Sequence, residues 1–291
     1  MNMRAVAMGL AFALMWSSAF TSARVIVAYA PPMASLSLRF LVSGILGIGI
    51  ALALGQSFRL TRAQWRATIV FGICQNALYL GLNFIAMQTV EASLASIIAS
   101  TMPLMVALAG WAVFRDKLPM LGIVGLVLGV IGVVLIMGAR IEDGVDRYGL
   151  GLCFIAAAAL TVATLSVRGA SSGGNVMMIV GLQMMVGAVC LAVASALFEP
   201  LEVTFSWQLI VAFIYTTLVP GLAATWVWFT LVNQIGAVKA ATFHFLNPFF
   251  GVAIAAALLG ESLGVLDVVG VAVIAAGILA VQLSKQKPAA G

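Results

Sequence analysis

Apolar runs of about 20 residues, each long enough to cross a hydrocarbon layer ~30 Å thick, follow one another almost without pause from Ala5 to Leu283. A soluble domain carries about 25% charged residues because its surface must face water. Here 8% are charged and 64% are hydrophobic, so lipid is the main solvent. Breaks marked by charges, Pro and Gly divide the chain into ten expected helices, approximately 4–28, 33–55, 67–87, 92–114, 118–139, 149–168, 175–198, 207–233, 237–259 and 264–284. Ten spans of about 21 residues use about 210 positions, which leaves no room for a separate soluble domain. The fold class is an all-α integral membrane protein.

Several alternatives fall away on chemistry. The chain holds no G-x-x-x-x-G-K-[ST] loop, so it does not drive work by its own ATP hydrolysis. The three cysteines, Cys74, Cys153 and Cys190, lie inside apolar spans without metal-ligand or disulfide spacing, and no metal or cofactor is expected. One histidine, no H-E-x-x-H and no deep acidic pair speak against an intramembrane enzyme. A net charge of +5 does not imply nucleic acid here, since in a membrane protein the distribution of charge over loops carries the information. Arg4 and Ala28-Tyr29-Ala30 resemble parts of a signal peptide, but the apolar stretch is too long and is interrupted by Trp16-Ser17-Ser18.

A shift of 145 residues brings Phe84 onto Phe229, Pro103 onto Pro248, Asp116 onto Glu261, Gly125 onto Gly270 and Gly132 onto Gly277. The chain therefore reads as two five-helix repeats, 1–142 and 143–291. Five is odd, so the second repeat enters the membrane from the opposite side, as in many secondary transporters with a midplane site between halves. On the face holding the N-terminus fall Arg4, Arg59, Arg62, Arg66, Arg115, Lys117, Arg168, Lys239, Lys285 and Lys287; opposite lie only Arg24, Arg140 and Arg147, with Glu91, Glu142, Asp143, Asp146, Glu199, Glu202 and Glu261. Positive loops stay inside, so both termini are expected in the cytoplasm.

Trp16-Ser17-Ser18-Ala19-Phe20 in the first span, Arg39-Phe40 in the second, Pro103 and Pro248 in the fourth and ninth, and Gly260-Glu261 before the last span resemble the EamA family of the drug/metabolite transporter superfamily. Within it the likeness is to YddG-type aromatic and neutral amino-acid exporters. The resemblance implies efflux of amino acids from the inner (plasma) membrane; the alternative is efflux of drugs or other metabolites. The partners are a small-molecule substrate and the lipid bilayer, with the chain a monomer or a dimer.

Gln75, Tyr79 and Asn83 recur every four positions and share one helical face. Such a stripe is costly against lipid and is assigned to a solute cavity, with interhelical hydrogen bonding as the other use. His244 and Asn247, one turn apart, join it as solute contacts, although a lone histidine is more often a satisfied core residue. Trp16 and Trp228 are expected as cavity walls. Pro103 and Pro248 are candidate hinges or static bends. Ser93, Ser96 and Ser100, and the glycines 122, 125, 129 and 132, are assigned to close helix packing, the glycines against the tenth span or a second molecule. Arg39 either snorkels to the surface or binds a carboxylate; Asp267 answers a charge or caps its helix.

Overall fold

The structure, a computed structural model, describes residues 3–142, 144–166 and 174–285; Asp143, Arg168 and Lys287 lie outside them. Among the described residues ten helices are long and apolar enough to cross a bilayer: span 1 Met3–Val27, span 2 Pro32–Ala53, span 3 Arg62–Ala86, span 4 Ala92–Phe114, span 5 Met120–Glu142, span 6 Arg147–Ser166, span 7 Val176–Phe198, span 8 Trp207–Val232, span 9 Lys239–Leu259 and span 10 Val265–Ser284. No strand occurs among them. Span 3 begins five residues before the expected position because Thr61 and Gln64 form a reciprocal capping box: the Gln64 N–H donates to Thr61 Oγ1 at 3.2 Å and the Thr61 N–H to Gln64 Oε1 at 2.8 Å.

Helices in lipid gain little from hiding apolar surface against one another, so small residues that let backbones approach decide who packs with whom. Span 5 lies along span 10 on this basis. A Cβ at Gly125 would sit 2.6 Å from the Gly277 carbonyl oxygen, and one at Gly132 2.8 Å from that of Gly270. The glycine stripe thus faces the tenth span. Span 2 meets span 7 in the same way, with Gly47 3.3 Å (from its would-be Cβ) from the Gly181 α-carbon. On span 4, Ser96 fits against Gly251 of span 9, where a Cβ would fall 1.9 Å from Ser96 Oγ.

Spans 2 and 7 also cap each other at both ends. Glu199, just after span 7, accepts the Met33 and Ala34 N–H groups at 2.8 and 3.0 Å, while Gln56, just after span 2, accepts the Met178 N–H at 3.0 Å. Each carboxylate or amide satisfies orphan donors in the first turn of its neighbour. Glu261 does the same for span 4, accepting from Ala92 and Ser93 at 2.8 and 2.9 Å. Gly260, with φ 68°, supplies the left-handed turn that ends span 9 and leads into Glu261.

The face opposite the N-terminus is tied further by Arg140. Its guanidinium lies 2.8 Å from Glu91 and engages both Asp267 oxygens at 2.9 and 3.1 Å. Asp267 also accepts the Gly264 N–H at 2.9 Å, so the two sequence-level readings of this residue hold together: it answers a charge and caps its helix. Burial pushes the Glu91 carboxyl above its usual range despite Arg140. The Thr89 hydroxyl, helped by the Gly149 and Tyr148 amides, holds Asp146 below its own.

Candidate functional site

Spans 3 and 8 each depart from α-helical geometry in their middle. Gly72–Leu80 and Thr217–Ala223 are π-helical, and the 145-residue offset carries Gly72 onto Thr217. Wider turns of this kind re-aim side chains and recur at functional positions. In span 8 the cause is visible in the sequence: Pro220 has no N–H to donate and its ring crowds the preceding turn. Nothing comparable marks Gly72–Leu80.

Between these two segments and spans 1 and 2 lies a cavity of about 80 Å³. Gln75, Asn76, Tyr79 and Asn83 reach it from span 3, Trp16 and Phe20 from span 1, Arg39 and Phe40 from span 2, and Pro220, Gly221 and Thr225 from span 8. Asn83 donates through Nδ2 to the Tyr79 carbonyl at 2.8 Å, which leaves its buried Oδ1 without a partner. Asn76 donates to the Gln183 carbonyl at 2.8 Å and packs against Gly187, so it both lines the cavity and ties span 3 to span 7. The stripe of three singled out from sequence therefore faces one space, and Asn76 joins it, a residue that a strict four-residue spacing passes over.

The remaining sequence candidates sit elsewhere. Trp228, His244 and Asn247 do not line this cavity. They form a layer on the N-terminal side of Trp16, packed around Phe12: ring centroids lie 4.8 Å apart for Phe12 and Trp228, 5.4 Å for Phe12 and His244, and 5.3 Å for Trp228 and His244. Trp16 belongs to both regions, 5.7 Å from Phe12 and 6.3 Å from His244. The Asn247 amide donates to His244 Nδ1 at 2.9 Å. The separation follows from helical geometry: these groups fall on the first turns of span 9 and the last of span 8, near one end of the bundle, whereas Tyr79 and Asn83 lie toward the other.

The Trp16-Ser17-Ser18 run has a role for each member. Trp16 walls the cavity, Ser17 donates to the Asn247 carbonyl at 3.1 Å, and Ser18 accepts the Tyr215 hydroxyl at 2.8 Å, so span 1 is fastened to spans 9 and 8 beside the cavity. Pro103 and Pro248 each open the second helical segment of a divided span, after Thr101 in span 4 and after the 3₁₀ turn Thr242–Leu246 in span 9. Arg39 does not snorkel. It is 7% exposed, turned into the cavity about 10 Å along the helix from its start.

Comparison with known proteins agrees with this architecture. The EamA-like transporter family model matches twice, over residues 3–138 and 147–283. The chain is 26% identical to the uncharacterized transporter YvbV of Bacillus subtilis over 95% of its own length and 91% of the relative's. It is 27% identical to the uncharacterized inner membrane transporter YedA of Escherichia coli, covering 95% and 90%. A WAT1-related chloroplastic protein of Arabidopsis thaliana is 22% identical over 89% of this chain and 64% of that protein. One crystal structure shares the fold at a TM-score of 0.71 and 20% identity, over 99% of this chain and all of the other. YvbV and YedA are named as transporters and YedA as one of the inner membrane; none of the three names gives a substrate. With both halves of its length matched by the same family model, this multi-pass chain belongs to the EamA-like transporter family, and it is a membrane transporter of small molecules rather than an enzyme.

Proposed function

We propose that the chain is a secondary carrier that exports neutral or aromatic amino acids from the cytoplasm, by alternating access around the cavity beside Tyr79. The observation that carries this reading is the lining: amides, hydroxyls, aromatic rings and the Arg39 guanidinium, with no Asp or Glu among the described lining residues. A cationic drug calls for an intramembrane carboxylate, whereas a zwitterion with an apolar side chain suits amide and hydroxyl groups beside Trp16 and Phe20.

The transport cycle belongs to the same proposal. Residues 1–142 and 143–291 are taken as inverted repeats, supported by the reciprocal caps of Gln56 and Glu199 at opposite ends of spans 2 and 7. Both termini are placed in the cytoplasm. Among the described residues Arg4, Arg59, Arg62, Arg66, Arg115, Lys117, Lys239 and Lys285 favour that face, against Arg24, Arg140 and Arg147. Trp16, Gln75, Tyr79 and Asn83 contact the solute, Trp228, His244 and Asn247 close the path on the cytoplasmic side, and Pro103 and Pro248 are the hinges.

Counterflow in proteoliposomes tests the substrate class. Saturable uptake of radiolabelled neutral amino acids into vesicles preloaded with the same solute is expected, with cross-competition among them. Flux of cationic dyes without amino-acid flux would replace this reading with drug efflux.

A further inference from the structure

We propose that Arg39 is the counter-charge for a carboxylate on the transported solute, so that the cavity accepts carboxylate-bearing molecules and rejects amines that lack one. The proposal rests on the carrier reading above and names the group by which the cargo is recognised. A guanidinium is a fixed cation with five donors in a planar fork, matched to a carboxylate. Inside a membrane such a group is expensive unless something answers it. Arg24 and Arg140, on the same half of the bundle, are answered: Arg24 donates to the Met87 carbonyl, and Arg140 holds Glu91 and Asp267. Arg39 makes no hydrogen bond or ion pair with any described residue, and its buried Nε is without a partner. The Phe40 ring lies 5.4 Å from its guanidinium carbon.

The side chain is therefore a buried, unpaired cation turned into a cavity lined by aromatic rings. Its counterpart is Asn83, 1% exposed, whose orphan Oδ1 in the same lining asks for a donor. A cationic fork and an amide acceptor beside Trp16, Phe20 and Phe84 complement a carboxylate, an N–H donor and an apolar group on one small molecule. Filling the site removes the unpaired charge, so the solute contributes stability that the empty protein lacks.

Thermal melting of the purified full chain in detergent tests this with four probes that differ by one group: phenylalanine, 3-phenylpropionate, 2-phenylethylamine and phenylalaninamide. The two carboxylates should raise Tm and the other two should not. Arg39→Gln should weaken both carboxylates about tenfold or more, while its Tm without ligand stays level or rises because an unanswered charge is gone. Arg39→Lys should retain part of the affinity, since charge remains but the fork is lost. Should Arg39→Gln fail to fold, the lysine variant and the wild-type probe series decide. Equal binding of phenylalanine and 2-phenylethylamine, carboxylate affinity unchanged in Arg39→Gln, or no response to either carboxylate would overturn the proposal. Binding of 3-phenylpropionate but not phenylalanine, sensitive to Arg39, would instead keep this site and reject amino acids as cargo.

Discussion

Tyr79 and His244 are both aromatic, polar and inside the membrane, yet they sit in different surroundings, Tyr79 in the cavity lining and His244 in the Phe12 layer. Tyr79 lines the cavity, so Tyr79→Phe should weaken solute binding by about 1–3 kcal/mol if its hydroxyl pairs with the cargo, measured as a rise in Kd at unchanged Tm. His244 is packed among Phe12, Trp16 and Trp228. His244→Ala should lower Tm through the void it leaves, with the order of competing solutes preserved; an altered order would place the imidazole in the binding site. Asp267 is a structural tie, 5% exposed on its side chain and bound to Arg140 and the Gly264 N–H. Asp267→Asn should keep flux but cost about 1–3 kcal/mol of stability, and a well-folded variant without flux would make this carboxylate part of the transport cycle. The polar stripe of span 3 was legible because polar groups against lipid are costly and periodicity reveals their shared face. The placement of His244 against Phe12 and Trp228 was not, since helical spacing gives a face and a depth but not which side chains of other spans meet it there.

At the scale of elements, glycine does the work that bulky apolar side chains do in soluble cores. Gly125→Ala should destabilise the protein by about 1–3 kcal/mol, because the new Cβ would meet the Gly277 carbonyl oxygen at 2.6 Å and the Val281 nitrogen at 2.9 Å, backbone atoms that cannot swing aside. A Tm equal to wild type would show that spans 5 and 10 can slide apart freely. The glycine spacing in span 5 announced this face, while the choice between span 10 and a second molecule needed the structure. Hydropathy placed all ten spans to within a few residues, and erred most at Arg62, where Arg62 and Arg66 mask a capped first turn. The π-helical stretch of span 3, which lies against spans 6 and 7, left no trace in the sequence, since it holds no proline like that of span 8.

For the whole molecule, the central claim is that one cavity between the halves is reached alternately from the two sides of the membrane. Two sets of contacts flank it: the Phe12, Trp16, Trp228 and His244 layer toward the N-terminal face, and the Arg24 contact with the Met87 carbonyl toward the other. The duplication was legible because Pro103, Pro248 and the glycines keep their offset; the cavity itself depends on contacts between distant spans that no single-sequence pattern encodes. The most direct measurement uses Ala19→Cys, in the cavity lining, on a background in which Cys74, Cys153 and Cys190 are replaced. A membrane-impermeant thiol reagent is applied to right-side-out and to inverted vesicles, with and without a transported amino acid. The account predicts labelling from both sides and protection by the solute from both. Labelling from one side only, or labelling that the solute leaves unchanged, would contradict it.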